Sequence, residues 1–334
     1  MIAEEHVEKP SDMQERVRRS EELLARRRHA TRGRPERSFL TIGDLTREEV
    51  ARILEGGIDV KQNPARYART LQGLSVGLLF QKTSTRTRVS FEIGVGEMGG
   101  QPLYVDWRTS NFTLADLHDE IKVFSRFVDL VMARVYAHGD LELMKKHSEV
   151  PVINGLSDFA HPCQGLTDYM TVLEHFGALE GLKLAYVGDG NNVCHSLIEG
   201  AAKTGVRIAV ATPEGFAPKE EVVRAARAET TVELFDRPEE AVAGADVVYT
   251  DTWISMGEED QKDTKLKAFA GYCVDERLLA VAEPHALVMH CLPAHRGYEI
   301  SDGAMDSLHS VVYDQAENRK HLQKYLMGWI MERV

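Results

Sequence analysis

Leu74-Ser75-Val76-Gly77-Leu78-Leu79-Phe80, followed at once by Gln81-Lys82-Thr83-Ser84-Thr85-Arg86-Thr87-Arg88-Val89-Ser90-Phe91-Glu92, decides how this chain is read. The first seven residues are a short apolar run, the pattern of a strand buried in a parallel sheet. From Val89 to Met98 the spacing suits a helix, so Ser84 and Thr85 fall at a helix N-terminus. Unpaired backbone N–H groups and the positive end of the helix dipole favour an anion there. Arg86 adds a planar fork that matches phosphate oxygens. The plainer alternative is a solvated basic turn capped by Ser84, and the segments described next tell against it.

The 334 residues are enough for two domains of ordinary size, and 43% hydrophobic with 28% charged residues is the balance of a soluble globular protein. No apolar run approaches a membrane span. The net charge of -12 argues against a nucleic-acid-binding surface, which needs a concentrated positive field. The anion site is therefore local. Cys163, Cys194, Cys273 and Cys291 lack paired metal-ligand spacing and fit a reducing compartment, which predicts a cytoplasmic protein.

Residues 1–37 form a charged N-terminal extension, rich in Arg yet carrying too many Glu and Asp for an organelle transit peptide. A charged helix and an arm on a neighbouring subunit are its two readings. From Ser38 onward strand-like runs alternate with helical ones. The runs Leu74 to Phe80, Phe127 to Val135, Leu182 to Gly188, Val206 to Ala211, Ala245 to Thr250 and Ala286 to Cys291 read as strands, and Thr46 to Gly56 and Ala316 to Val334 as helices. This alternation predicts an α/β protein of two doubly wound parallel-sheet domains linked by helices.

Chemistry gathers at the carboxyl ends of such strands. Arg134 ends one strand, and His161-Pro162-Cys163-Gln164 opens a helix. Asp251-Thr252-Trp253-Ile254-Ser255-Met256-Gly257 and His290-Cys291-Leu292-Pro293 each follow another strand. Any one of these alone is more often a cap or a structural hydrogen-bonding group. The stretch Gly188-Asp189-Gly190-Asn191-Asn192-Val193 mimics a dinucleotide fingerprint, but Val193 stands where close helix packing wants Gly or Ala, and no acidic ribose ligand ends the next strand. A nicotinamide-dependent dehydrogenase is thus the weaker alternative.

In this order, the segments resemble the aspartate and ornithine transcarbamoylase family, and within it the ornithine-using members. Ser84-Thr85-Arg86-Thr87-Arg88 looks like the family's carbamoyl-phosphate loop and His161-Pro162-Cys163-Gln164 like its second carbamoyl-phosphate motif. Asp251 with Ser255-Met256-Gly257 is similar to the ornithine loop, and His290-Cys291-Leu292-Pro293 and Glu317-Asn318-Arg319 complete the set. The resemblance implies a carbamoyl-phosphate domain over residues 38–175, an ornithine domain over 176–316 and a final helix, 317–334, returning to the first domain. It also implies a homotrimer or an assembly of trimers with active sites between subunits.

The implied reaction moves the carbamoyl group of carbamoyl phosphate to the side-chain amine of L-ornithine, giving L-citrulline and phosphate, a step of arginine biosynthesis. By the resemblance, Ser84, Thr85, Arg86 and Thr87 hold the phosphate, while Arg134, His161, Gln164 and Arg319 face the carbonyl oxygen or its neighbours. Asn192 and the Met256 backbone take the ornithine carboxylate, and Asp251 with Ser255 the α-amino group. Cys291 lies near the reacting amine, with the Leu292 carbonyl on the carbamoyl NH2; a buried structural thiol is the other reading of Cys291. Arg88 reads as a structural ion-pair partner. No cofactor or metal is called for, because Arg and backbone donors supply the positive field. Aspartate fits poorly as acceptor opposite Asp251, and putrescine lacks the carboxylate these residues would serve. Lysine or another diamine stays open, because residues 106–119 form a bulkier and more acidic loop than the polar one usual in ornithine enzymes. On the resemblance, Trp107, Arg108 or His118 would complete a neighbouring subunit's site.

Overall fold

The computed structural model describes residues 10–30, 37–254 and 259–334. The segment before Arg37 is a unit of its own, a helix α1 (Pro10–Ala30) whose described side chains, Met13 to Leu23, are exposed. The extension is thus helical over these residues.

From Arg37 on, two parallel sheets carry the chain. The first has β1 (Ser75–Phe80), β2 (Gln101–Asp106), β3 (Leu130–Arg134) and β4 (Val152–Leu156) in the order β2-β1-β3-β4. The second has β5 (Lys183–Val187), β6 (Arg207–Ala211), β7 (Val232–Phe235), β8 (Val247–Thr250) and β9 (Leu287–His290) in the order β7-β6-β5-β8-β9. Every named strand pair is parallel. The α/β architecture with two doubly wound sheets therefore stands as the sequence implied. Three strands escaped that reading. Strand β2 opens on Gln101-Pro102 and β7 is a four-residue edge with exposed Glu233 and Leu234, while Asn154 and Gly155 interrupt the apolar run of β4.

Each sheet reverses its winding at one place, between β1 and β3 in the first and between β5 and β8 in the second. Loops diverge there and leave a crevice at the carboxyl ends of the strands. Helices α2 (Arg47–Gln62), α3 (Thr85–Glu97), α4 (Leu117–Phe124), α5 (His138–His147), α6 (Pro162–Phe176) and α7 (Asn192–Thr204) cover the sheets. The C-terminal helix Val312–Ile330 packs on α2, α3 and α6, all of which lie before the second sheet. It starts four residues earlier than the sequence suggested, which puts Gln315 inside it along with Arg319, and it ends at Ile330.

Helices α6 and α7 cross closely because two glycines permit it. A Cβ at Gly200 would lie 2.2 Å from the Tyr169 ring, and one at Gly165 2.9 Å from Ile42 and 3.0 Å from Ser196. That contact fixes the start of α6 against the start of α7.

Candidate active site

Strand β1 runs straight into the anion turn. Ser84 caps α3, its Oγ accepting from the Thr87 N–H at 3.3 Å. The turn is pinned to the end of β3, since the Gln81 N–H donates to the Arg134 carbonyl at 2.9 Å and Gln81 Oε1 accepts from the Tyr136 N–H at 2.8 Å. Arg134 is thereby held in register beside Phe80. His161 is the N-cap residue of α6, and its N–H donates to Ser196 Oγ of α7 at 2.9 Å.

These groups line a cavity of about 530 Å³. Ser84, Thr85, Arg86, Arg134, His161 and Arg319 line it as well as Asn192 at the start of α7, Asp251 just after β8, and Cys291 and Leu292 just after β9. A larger groove of about 870 Å³ shares no residue with it, lies by His138, Lys146 and Lys219, and mixes both signs of charge. The chemistry belongs to the smaller cavity. There Arg134 Nε, Arg319 Nε and His161 Nδ1 are buried without a protein partner, an arrangement that an anion with several oxygens would satisfy.

The electrostatics agree. Burial pushes the Arg134 guanidinium down to about 9, and the neighbouring charges of Arg319 and Arg86 add to it. Burial also lowers Arg319. His161 is lowered well below the usual imidazole range, by burial first and by Arg319, Arg134 and Arg86 after it. The imidazole is therefore neutral and serves as a hydrogen-bonding group. Cys291 moves the other way: loss of water and then the Asp251 charge hold its thiol well above the usual range.

On the acceptor side, Asp251 Oδ1 receives the Cys291 thiol and the Thr252 N–H, and Oδ2 receives Asn191 Nδ2 at 2.8 Å. Asn191, which caps α7, was not among the expected residues, although its place before that helix was the signal. Asn192 lines the cavity while donating to the Ser157 carbonyl at 2.6 Å. Leu292 has a φ of 59°, unusual for a side-chain-bearing residue, and its N–H donates to His290 Nδ1 at 2.8 Å. Strain of this kind collects at functional sites. Asp251, His290 and Cys291 place ligand atoms within 4.8 Å of one another, but each is already hydrogen-bonded within the protein.

Two expected contacts lie behind the wall. Thr87 is fully buried and accepts from Arg319 Nη2 at 3.1 Å, so it steadies the guanidinium. Gln164 is buried one turn below His161 and gives its amide nitrogen to Asp168 at 2.7 Å, leaving an acceptor, Oε1, as its unpaired atom. A carbonyl oxygen needs a donor, so this free atom suits an N–H instead. Ser255 and Met256 lie outside the described residues. Lys82, Thr252, Lys262, His295 and Tyr298 line the cavity without having been singled out. His295 Nδ1 meets Thr252 Oγ1 at 3.0 Å, and its position four residues after Cys291 was the available clue. Arg88 pairs with Glu92 at 3.1 Å and lies over the Tyr104 ring, as a structural partner should.

Fold and cavity together define a two-domain α/β enzyme that binds a phosphate-bearing substrate across the crevice between two parallel sheets. The chain belongs to the aspartate/ornithine carbamoyltransferase family: residues 37–174 match its carbamoyl-P binding domain and residues 180–330 its Asp/Orn binding domain. It is 48% identical over 302 residues to an ornithine carbamoyltransferase of Methanocaldococcus jannaschii, covering 88% of this chain and 99% of the relative. With an anabolic ornithine carbamoyltransferase of Pyrococcus furiosus the identity is 46% over 303 residues, covering 88% and 96%. The solved ornithine carbamoyltransferase from Pyrococcus furiosus superposes with a TM-score of 0.85 at 45% identity, over 90% of this chain and 98% of that one.

Proposed function

We infer that the chain transfers the carbamoyl group of carbamoyl phosphate to the side-chain amine of L-ornithine, giving L-citrulline and phosphate. The observation that carries this reading is the cavity itself, whose lining brings Arg134, His161 and Arg319, each with an unpaired buried nitrogen, together with the Asp251 carboxylate. The phosphate is held at the N-terminus of α3 by Ser84, Thr85 and Arg86, and the carbonyl oxygen by Arg134 and His161. As the amine nitrogen bonds to the carbonyl carbon, negative charge grows on that oxygen, and preorganised donors of this kind contribute about 2.7 to 4 kcal/mol each. The C–O bond to phosphate then breaks. With Cys291 protonated and His161 neutral, the departing phosphate is the base that takes the amine proton.

On this reading residues 38–175 hold carbamoyl phosphate, and residues 176–316 hold ornithine through Asn192, Asp251, Ser255 and Met256. Residues 317–334 return to the first domain. The family matches to residues 37–174 and 180–330 support that division. The working form is a homotrimer or an assembly of trimers, supported by half-exposed Val89 and Ile93 on α3 and Leu103 on β2. Four free thiols support a cytoplasmic setting, and no helix among the described residues is long and apolar enough to cross a membrane. The test is an acceptor screen with carbamoyl phosphate and ornithine, lysine or putrescine, scoring the ureido product and phosphate. Ornithine should give the highest kcat/KM; a preference for putrescine would overturn the acceptor.

A further inference from the structure

A buried carboxylate lies one turn beyond Gln164, outside the cavity wall. Asp168 Oδ1 accepts from Gln164 Nε2 and from Gln315 Nε2, each at 2.7 Å, and Oδ2 from the Tyr249 hydroxyl at 3.0 Å. The donors sit on α6, the C-terminal helix and β8, so one side chain ties three elements together. The chain of bonds continues. Gln315 Oε1 accepts from the His290 N–H at 3.0 Å, and His290 Nδ1 accepts from the Leu292 N–H at 2.8 Å.

An ionised carboxylate can only accept. Asp168 therefore draws the NH2 end of both amides toward itself, which turns Gln315 Oε1 to His290 and leaves Gln164 Oε1 as the free end. That oxygen is buried and unpaired, and an unmet buried acceptor calls for an N–H donor from a ligand. Carbamoyl phosphate carries an NH2 where an acyl phosphate carries a methyl group.

We propose that Asp168 is a positioning residue that fixes the amide orientation of Gln164, so that Gln164 Oε1 is kept as an acceptor for the carbamoyl NH2 and the site selects a carbamoyl over an acyl donor. This rests on the carbamoyl-phosphate reading given above. Burial raises Asp168 to about 7, against the hydrogen bonds from Gln164, Gln315 and Tyr249 and the charge of Arg319. The other titratable groups facing it, Tyr169, Tyr249 and Cys291, are held protonated by burial.

The test is calorimetric titration with phosphonoacetamide and acetonylphosphonate, which share a phosphonate and a carbonyl and differ in NH2 against CH3. Wild type should favour the amide by about tenfold or more, the effect of leaving a buried acceptor unmet. Asp168→Asn has the same shape but lets either amide turn, so the preference should shrink to about twofold with the melting temperature retained. A purely structural role would weaken both ligands alike, and an unchanged preference in the folded variant overturns the proposal. If the variant does not fold, the wild-type preference is compared at about pH 8.5 and about pH 5.5, on either side of the Asp168 titration. A fall at the lower pH supports the proposal, and a constant ratio overturns it. Failure of wild type to bind either compound would overturn the carbamoyl-phosphate reading itself, and this proposal with it.

Discussion

The Cys291 thiol donates a hydrogen bond to Asp251 Oδ1 at 2.8 Å. A thiol that gives its proton to a carboxylate is no nucleophile, and burial together with the Asp251 charge keeps it protonated. Iodoacetamide should therefore alkylate Cys291 slowly at neutral pH. Asp251→Asn removes the repelling charge and should speed that labelling. In the proposed function Asp251 pairs with the substrate ammonium, so in the same variant the KM for ornithine should rise at least about tenfold, as expected for a charged hydrogen bond worth about 1.5–3 kcal/mol. Carbamoyl-phosphate affinity should hold. Loss of that affinity with unchanged ornithine kinetics would refute the division of the cavity between its two walls.

Arg86, Arg134 and Arg319 repel one another across the cavity. Arg86→Ala should leave the melting temperature of the free protein unchanged or higher, because it relieves repulsion and opens no core. Carbamoyl-phosphate affinity should nevertheless fall by at least about tenfold. Differential scanning fluorimetry and calorimetry read the two effects separately. Unchanged affinity in a well-folded variant would make Arg86 a solvated turn residue.

Much of this was legible because it is local. The strand, the capped helix start and the Arg fork of Phe80 to Arg88 occupy one continuous stretch, and parallel topology brings strand ends together. What was hidden depends on partners far along the chain. Thr87 looks like a ligand contact beside Arg86, yet its hydroxyl is taken by Arg319, 232 residues away. Nothing in the sequence distinguishes the buried Asp168 from a surface carboxylate on a helix, since its partners Tyr249 and Gln315 lie on other elements. Strands β2 and β7 were missed because edge strands have one open side and tolerate polar residues that break the apolar pattern.

Glu199 on α7 gives a pH prediction. Its Oε2 accepts from the Ile42 N–H at 3.1 Å, and burial raises its carboxyl from 4.5 to about 7 despite backbone N–H groups of Gly43 and Ile42 that oppose the shift. The folded state thus holds this proton more tightly than the unfolded chain. Its contribution to stability is full below about pH 4.5 and is lost as the pH rises toward about 7, a change on the order of 1–3 kcal/mol. Glu199→Gln should flatten that part of the profile. Urea unfolding of both proteins between about pH 5 and about pH 8 measures it, and parallel profiles would show that Glu199 does not titrate in this window.

The loop at residues 106–119 gives the last prediction. Trp107 does not reach outward: it is buried, packs against the tilted Phe112 ring at 5.2 Å and donates to the Phe112 carbonyl at 3.0 Å, so it anchors its own subunit. His118 packs against His147. Arg108 is the one of the three left for a neighbour, exposed and aimed by a two-pronged bond to Asp106, at 3.0 Å and 2.7 Å. In the proposed trimer it supplies a cation to the phosphate end of an adjacent cavity. Arg86→Ala and Arg108→Ala should then each be nearly inactive when purified alone. Refolded as a mixture, they should form hybrid trimers in which some cavities draw an intact Arg86 from one chain and an intact Arg108 from the other, so activity should exceed the sum of the parents. A fully active Arg108→Ala, or verified hybrids without recovery, would mean that Arg108 serves no neighbouring site and that its bond to Asp106 only shapes the loop.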